Sequence, residues 1–217
     1  MDHVITGVAK FQKEVYPNKK ATFQKLANGQ NPEVLFITCS DSRIDPNLVT
    51  QTDPGELFIC RNAGNIVPPH SNQTGGMTAS IEFAVAALGV THIVVCGHTD
   101  CGAMKGAIHP EGLDSLPHVK EWLGHCRVAT EVVKERCGHD LLSIDDLEAV
   151  TRENVVQQIQ HLRTHPSVAA KIATGQVKLH GWVYNIGSGD VLCYNTENGE
   201  FEAMDQAAAE ARLTRAE

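Results

Sequence analysis

Residues 32–43 read PEVLFITCSDSR, a continuous apolar run that ends in a thiol, a carboxylate and a guanidinium within five residues. An apolar run without polar alternation is the pattern of a strand buried on both faces, as in a parallel sheet. Two later stretches share it. ELFICRNAGN (56–65) ends in a Gly/Asn turn, and THIVVCGH (91–98) ends in a histidine. Between them GGMTASIEFAVAALGV (75–90) places Met77, Ile81, Ala84, Val85 and Leu88 at helical spacing and closes on Gly89. Helices follow over roughly 116–137 and 145–163, the second with Ser143 and Asp146 as an N-cap pair. QVKLHGWVYNIGSGDVLCYN (176–195) reads as two strands around a GSGD turn.

This order predicts an α/β fold with a central, mainly parallel sheet flanked by helices: four parallel strands plus an antiparallel edge strand. Residues 1–30 form an N-terminal helical arm, with Val4, Ile5, Val8 and Phe11 on one stripe and Phe23 and Leu26 resuming after the Pro17-Asn18 break. The expected organisation is one domain over residues 1–217, with 200–217 as a loosely ordered tail.

Composition narrows the function classes. The chain has 18 Lys and Arg against 26 Asp and Glu, a formal charge of −8, and 42% hydrophobic residues. An acidic balance disfavours nucleic acid or an anionic membrane as partner, because both reward clustered cations. The N-terminus lacks a signal-peptide core, and no apolar stretch is long enough for a membrane span. Seven cysteines, an odd number spread widely, do not make a disulfide framework and fit a reducing cytoplasm.

Sites in parallel sheets form beyond the carboxyl ends of the strands. CSDSR (39–43) sits at one such end, and GHTDCGAMKGA (97–107) at another. Cys39, His98 and Cys101 together offer two thiolates and an imidazole, a set that suits zinc and leaves a fourth tetrahedral position open. Asp41 is the candidate to fill or control that position. Each element alone is equally readable as buried core, so spacing leaves both a metal centre and a packed strand end open.

CSDSR, PGELFICRNAGN and GHTDCG, in this order, closely resemble the β-class carbonic anhydrases, specifically the bacterial, open-site (plant-like) branch. The resemblance extends through GQNP (29–32), ENVVQQIQHLRTHPSV (153–168) and LHGWVYNIGSGDV (179–191), and so covers about residues 3–195. It implies a Zn2+ ion held by Cys39, His98 and Cys101, and reversible hydration of carbon dioxide to bicarbonate and a proton by attack of zinc-bound hydroxide. It also implies that Arg43 holds Asp41 off the metal, and that Asp41 becomes a fourth ligand only in a closed form. Closed members carry a Trp three residues before the first cysteine, as part of a bicarbonate pocket. Here that position is Phe36, so Arg61 and Tyr184 lack a pocket to complete, and the open form is expected.

For the substrate the resemblance implies Gln30, reaching into a neighbouring subunit's site, with Phe58 and Phe83 as aromatic wall and the amide of Gly102 as a donor. It implies a homodimer, or a tetramer or octamer built from dimers. Cys60, Cys96 and Cys193 read as small hydrophobes in strands. Cys126 and Cys137 share one face of a predicted helix, too far apart to bridge. The alternatives are a same-fold hydrolase of carbonyl sulfide or carbon disulfide and a non-catalytic zinc scaffold.

Overall fold

The computed structural model describes residues 1–208 and Glu210. Val34–Cys39 forms β1, and every residue from Leu35 to Cys39 is buried, as the unalternated run requires. After β1 come α3 (Pro46–Thr50) and β2 (Leu57–Asn62), then α4 (Gly76–Glu82), whose last turns widen over Phe83–Ala87, and β3 (His92–His98). Two helices precede this body, α1 (Asp2–Lys10) and α2 (Lys20–Leu26). After β3 the chain makes α5 (Gly102–Ile108), α6 (Pro117–Leu123), α7 (Arg127–Cys137), α8 (Ile144–Leu162) and α9 (Pro166–Ala173). Strands β4 (Lys178–Tyr184), β5 (Val191–Tyr194) and β6 (Phe201–Ala203) close the sheet.

The sheet order is β2-β1-β3-β4-β5-β6. Strands β2, β1, β3 and β4 run parallel, while β5 and β6 add antiparallel. The parallel core and the hairpin match expectation. The sixth strand adds to it: Phe201–Ala203 pairs with β5 where a loose tail was expected, because the turn after Asn195 returns the chain along that free edge. Most of the remaining expected tail lies outside the described residues.

Side chains alternate across β1 and β3. Leu35, Ile37, Ile93 and Val95 join Ile81, Val85, Val155, Ile159 and Val168 in one apolar cluster beneath α4, α8 and α9. Phe36, Val94 and Cys96 point to the other face, where Phe36 meets Trp182 edge-on at 5.9 Å between ring centres. The predicted helix over 116–137 is instead two, broken by a tight turn at Gly124–Cys126. Cys126 is therefore buried and Cys137 exposed, and the two do not share a helix face. Helix α8 starts as predicted: the Ser143 hydroxyl accepts from the Asp146 amide, and the Asp146 carboxylate accepts from the Ser143 amide.

The chain divides into two compact units, Met1–Asn31 and a second that starts at Pro32. Within the first, Pro17 interrupts helix bonding and the preceding turn, Phe11–Val15, opens to wider spacing. Phe11, Tyr16 and Phe23 form a ring cluster at 5.4–6.1 Å, which ties α1 to α2. Val4, Ile5 and Val8 of the apolar stripe remain 47–61% exposed.

Helix α8 lies so close to β4 that a Cβ on Gly181 would stand 2.8 Å from Ile159 and 2.9 Å from Val155. Gly181→Ala should cost about 1–3 kcal/mol by overpacking. Urea unfolding will read it, and an unchanged midpoint would show that α8 can shift away freely.

Candidate metal centre

Strand order builds the site. The chain passes from β1 outward to β2 and then returns to the opposite side of β1 for β3, so β1 and β3 are neighbours whose connections leave in opposite directions. Their carboxyl ends form the crevice expected at such a reversal. Thr38 pairs with Cys96, which leaves Cys39 and His98 at adjoining strand ends. Cys101 then caps the start of α5.

The ligand atoms of Cys39, His98 and Cys101 all lie within 4.8 Å of one another, and all three residues are buried. The two sulfurs are 3.9 Å apart, close to the edge of a tetrahedron with Zn–S bonds of about 2.3 Å. His98 Nδ1 lies 2.9 Å from the Thr99 carbonyl, which can only accept, so Nδ1 carries the proton and Nε2 presents its lone pair. That Nε2 is buried without a hydrogen-bond partner. A buried polar atom left unsatisfied costs about 1–3 kcal/mol, and a cation among these three donors removes the deficit. The residues therefore fit the metal that their types suggested.

Electrostatics point the same way. The neighbouring Cys101 thiol holds Cys39 well below the ordinary thiol range, against the opposing effect of burial. The same pairing, with burial added, pushes Cys101 upward, so the two sulfurs share a proton that a cation would displace. Burial pulls His98 down, but its contact with Cys39 and its bond to Thr99 outweigh that and leave it raised.

Asp41 stands at the rim, its Oδ2 3.8 Å from His98 Nε2. Arg43 grips it from three positions: the backbone amide and Nε donate to Oδ1 at 2.9 Å each, and Nη2 donates to Oδ2 at 2.8 Å. This grip, more than burial opposes it, holds the Asp41 carboxyl far below the usual range. The far side of Arg43 is held by Asp100, whose Oδ2 accepts from Nη1 at 2.9 Å and whose carbonyl accepts from Nη2 at 3.0 Å. Lys105 pairs with the other Asp100 oxygen.

Gly102 opens α5, so its amide is among those with no acceptor inside the helix. Phe58 and Phe83 touch each other with ring centres 6.0 Å apart. Phe58 pairs with Leu35, four residues before Cys39 on β1, which sets it roughly 13 Å along the sheet from the ligands. Phe83 is 48% exposed. Gln30 lies exposed near the end of the first unit.

Several supporting contacts, among them the actual role of Arg61, escaped the sequence reading. Arg61 reaches under the loop after β1, where its Nε donates to the Cys39 carbonyl and its Nη2 to those of Asp41 and Ile44, at 2.7–3.0 Å. It is thus a brace for the 39–44 turn. The buried pair Asn154 and Gln158, four apart on α8, anchors the loop after β2: Asn154 donates to the Gly64 carbonyl and Gln158 accepts from the Val67 amide. The Gly64 amide in turn points at Cys39 Sγ, 3.4 Å away. Gly64 adopts a φ of +84°, and a Cβ there would press on Met104 and Ala103. Two amides at helical spacing on a largely apolar face were the available signal. Arg61→Met keeps the stem but removes three donations to carbonyls, and should cost about 2 kcal/mol. Chemical denaturation with metal content measured alongside will test it, and wild-type values for both would refute the bracing role.

The carbonic anhydrase family pattern matches residues 34–191. The chain is 49% identical to the carbonic anhydrase of Pseudomonas aeruginosa over 96% of this chain and 89% of that one. It is 43% identical to that of Synechococcus elongatus over 95% and 76%. Among solved structures, the β-carbonic anhydrase CcaA superposes with a TM-score of 0.90 at 41% identity, covering 94% of this chain and 98% of the other. A β-carbonic anhydrase described as tetrameric, from Sordaria macrospora, gives 0.77 at 30% over 88% and 95%. Sequence, fold and donor set agree, and the chain belongs to the β-class carbonic anhydrase family.

Proposed function

We propose that this chain catalyses the reversible hydration of carbon dioxide to bicarbonate and a proton, as a zinc enzyme with an open site. The observation that carries the reading is the convergence of Cys39, Cys101 and the unsatisfied His98 Nε2 beside a carboxylate already held by arginine. When bound there, Zn2+ supplies the Lewis acidity that makes a nucleophile of water near neutral pH.

The chain's own groups position that chemistry. Asp41 Oδ2 faces the donor set and accepts the hydrogen bond of the attacking water, which fixes the direction of its lone pair. Arg43 keeps Asp41 from swinging inward as a ligand, and Asp100 keeps Arg43 in place. The open form is supported by what fills the neighbouring space. Arg61 is spent on three carbonyls, Phe36 packs on Trp182, and Tyr184 joins the same apolar cluster, which leaves little for binding an anion there.

The aromatic wall belongs to a two-chain site in this reading. Phe58 lies too far along the sheet to serve its own Cys39 and the exposed Phe83 packs on it, so they and Gln30 serve a second copy, with the Gly102 amide as a donor to the bicarbonate oxygen. The exposed stripe of Val4, Ile5 and Val8 gives such a copy an apolar surface to cover. A homodimer, alone or paired further, follows. No helix among the described residues is long and apolar enough to cross a membrane. An odd number of cysteines, seven spread widely along the chain, fits a cytoplasmic location.

Arg43→Ala should retain the catalytic zinc yet lose about 10- to 100-fold in carbon dioxide hydration, as for other groups that orient a metal site. Stopped-flow hydration with metal analysis, run beside carbonyl sulfide and carbon disulfide, decides it. Zinc loss or full activity would sink the gatekeeping role, and turnover of the sulfur compounds alone would replace the substrate. Since the depressed Asp41 stays ionised throughout the working range, kcat/KM should show no acidic limb from it. The activity should rise with pH above neutrality, because two thiolates weaken the Lewis acidity of the metal. Full activity well below pH 7 would contradict this.

A further inference from the structure

A second group of metal-type donors lies outside the centre described above. Cys137 ends α7, Gly138 reverses the chain with φ +71°, His139 follows, and Asp146 stands in the first turn of α8. Their ligand atoms all lie within 4.8 Å of one another. We propose that Cys137, His139 and Asp146 form a peripheral binding site for a borderline divalent cation, with Zn2+ as the best match.

Each donor is prepared for that role by a separate contact. The His139 Nδ1 sits 2.9 Å from the Asp140 carbonyl, so Nδ1 holds the proton and Nε2 offers its lone pair. That Nε2 faces Asp146 Oδ1 at 4.0 Å. The other Asp146 oxygen, Oδ2, is taken by the Leu142 amide, the Ser143 amide and the Ser143 hydroxyl at 2.7–3.0 Å. These bonds fix the carboxylate plane and keep it ionised, with Oδ1 left over for a ligand. Asp140 is drawn away by Lys134 at 2.6 Å, so it does not compete for the cation. Of the seven cysteines, Cys137 is the exposed one and the other six are buried.

The chemistry of the set is selective. One thiolate, one carboxylate and one neutral imidazole balance a dication, and sulfur with nitrogen excludes calcium and magnesium in favour of zinc-like ions. Tetrahedral coordination needs donor separations of about 3.3–3.6 Å, so the loop closes by roughly 1 Å on binding. The ion would staple the end of α7 to the start of α8. Leu141 and Leu147, on either side of the cap, lie in the same apolar cluster as Cys39 and Cys101, so the staple adds to the stability of that cluster and leaves the catalytic groups in place.

The test uses enzyme with its catalytic metal in place, dialysed against buffered micromolar Zn2+. Wild type should hold two equivalents per chain, and the second should suppress reaction of the exposed thiol with a disulfide reagent. Cys137→Ser and His139→Ala should each hold one equivalent and keep carbon dioxide hydration. A wild type that holds one equivalent, variants that retain the second, or thiol reactivity indifferent to Zn2+ would each overturn the site.

Discussion

An imidazole nitrogen with nothing to bond is the constraint on which this architecture turns. His98 Nε2 is sealed from water, its tautomer is set by the Thr99 carbonyl, and its neighbours are two buried sulfurs. Such a grouping is a poor apolar core and a poor hydrogen-bond network. It becomes favourable when a cation takes all three lone pairs at once. The surrounding structure can be read as what is needed to hold that grouping still. Two parallel strands deliver Cys39 and His98, and the cap of α5 delivers Cys101.

Around the donors lies a relay of ion pairs and backbone braces. Asp41 is held by Arg43, Arg43 by Asp100, and Asp100 by Lys105. Beneath it, Arg61 fixes the loop that carries Asp41, while Asn154 and Gln158 fix the loop that presents the Gly64 amide to Cys39. Much of the relay is solvent-exposed, so its contribution to global stability is small. Its geometry is directional: three donations from one arginine turn the Asp41 carboxylate toward Arg43. The long helix α8 contributes at both levels, since its apolar face seals the sheet and its amides anchor a loop of the site.

Several features were legible in the chain itself. Buried parallel strands announced themselves through unalternated apolar runs, and the Ser143–Asp146 cap through its spacing. CSDSR and GHTDCG marked the candidate ligands through their resemblance to a known family, since residue types and spacing alone left a packed strand end equally open. The break within 116–137 was harder to see, because Gly124 interrupts an otherwise helical charge pattern without a proline. Phe201–Ala203 was missed as a strand because three residues carry too little periodicity, and only the free edge of β5 gives them a partner. The Cys137–His139–Asp146 grouping spans a reversal and a cap, so no regular spacing reveals it.

Residue types together with the family resemblance were enough to name the atoms proposed for the chemistry: Cys39, His98 and Cys101, with Asp41 and Arg43 close together along the chain. Local spacing is enough for those, since two residues apart on a turn cannot be far apart in space. Which distant groups support them emerges only once the chain is folded. Asp100 lies 57 residues from Arg43, Arg61 22 from Cys39, and Asn154 90 from Gly64. Those contacts depend on the reversal of strand order between β1 and β3 and on the depth to which α8 packs against Gly181. Both are set by the burial of many apolar side chains together, a collective property that no single motif encodes.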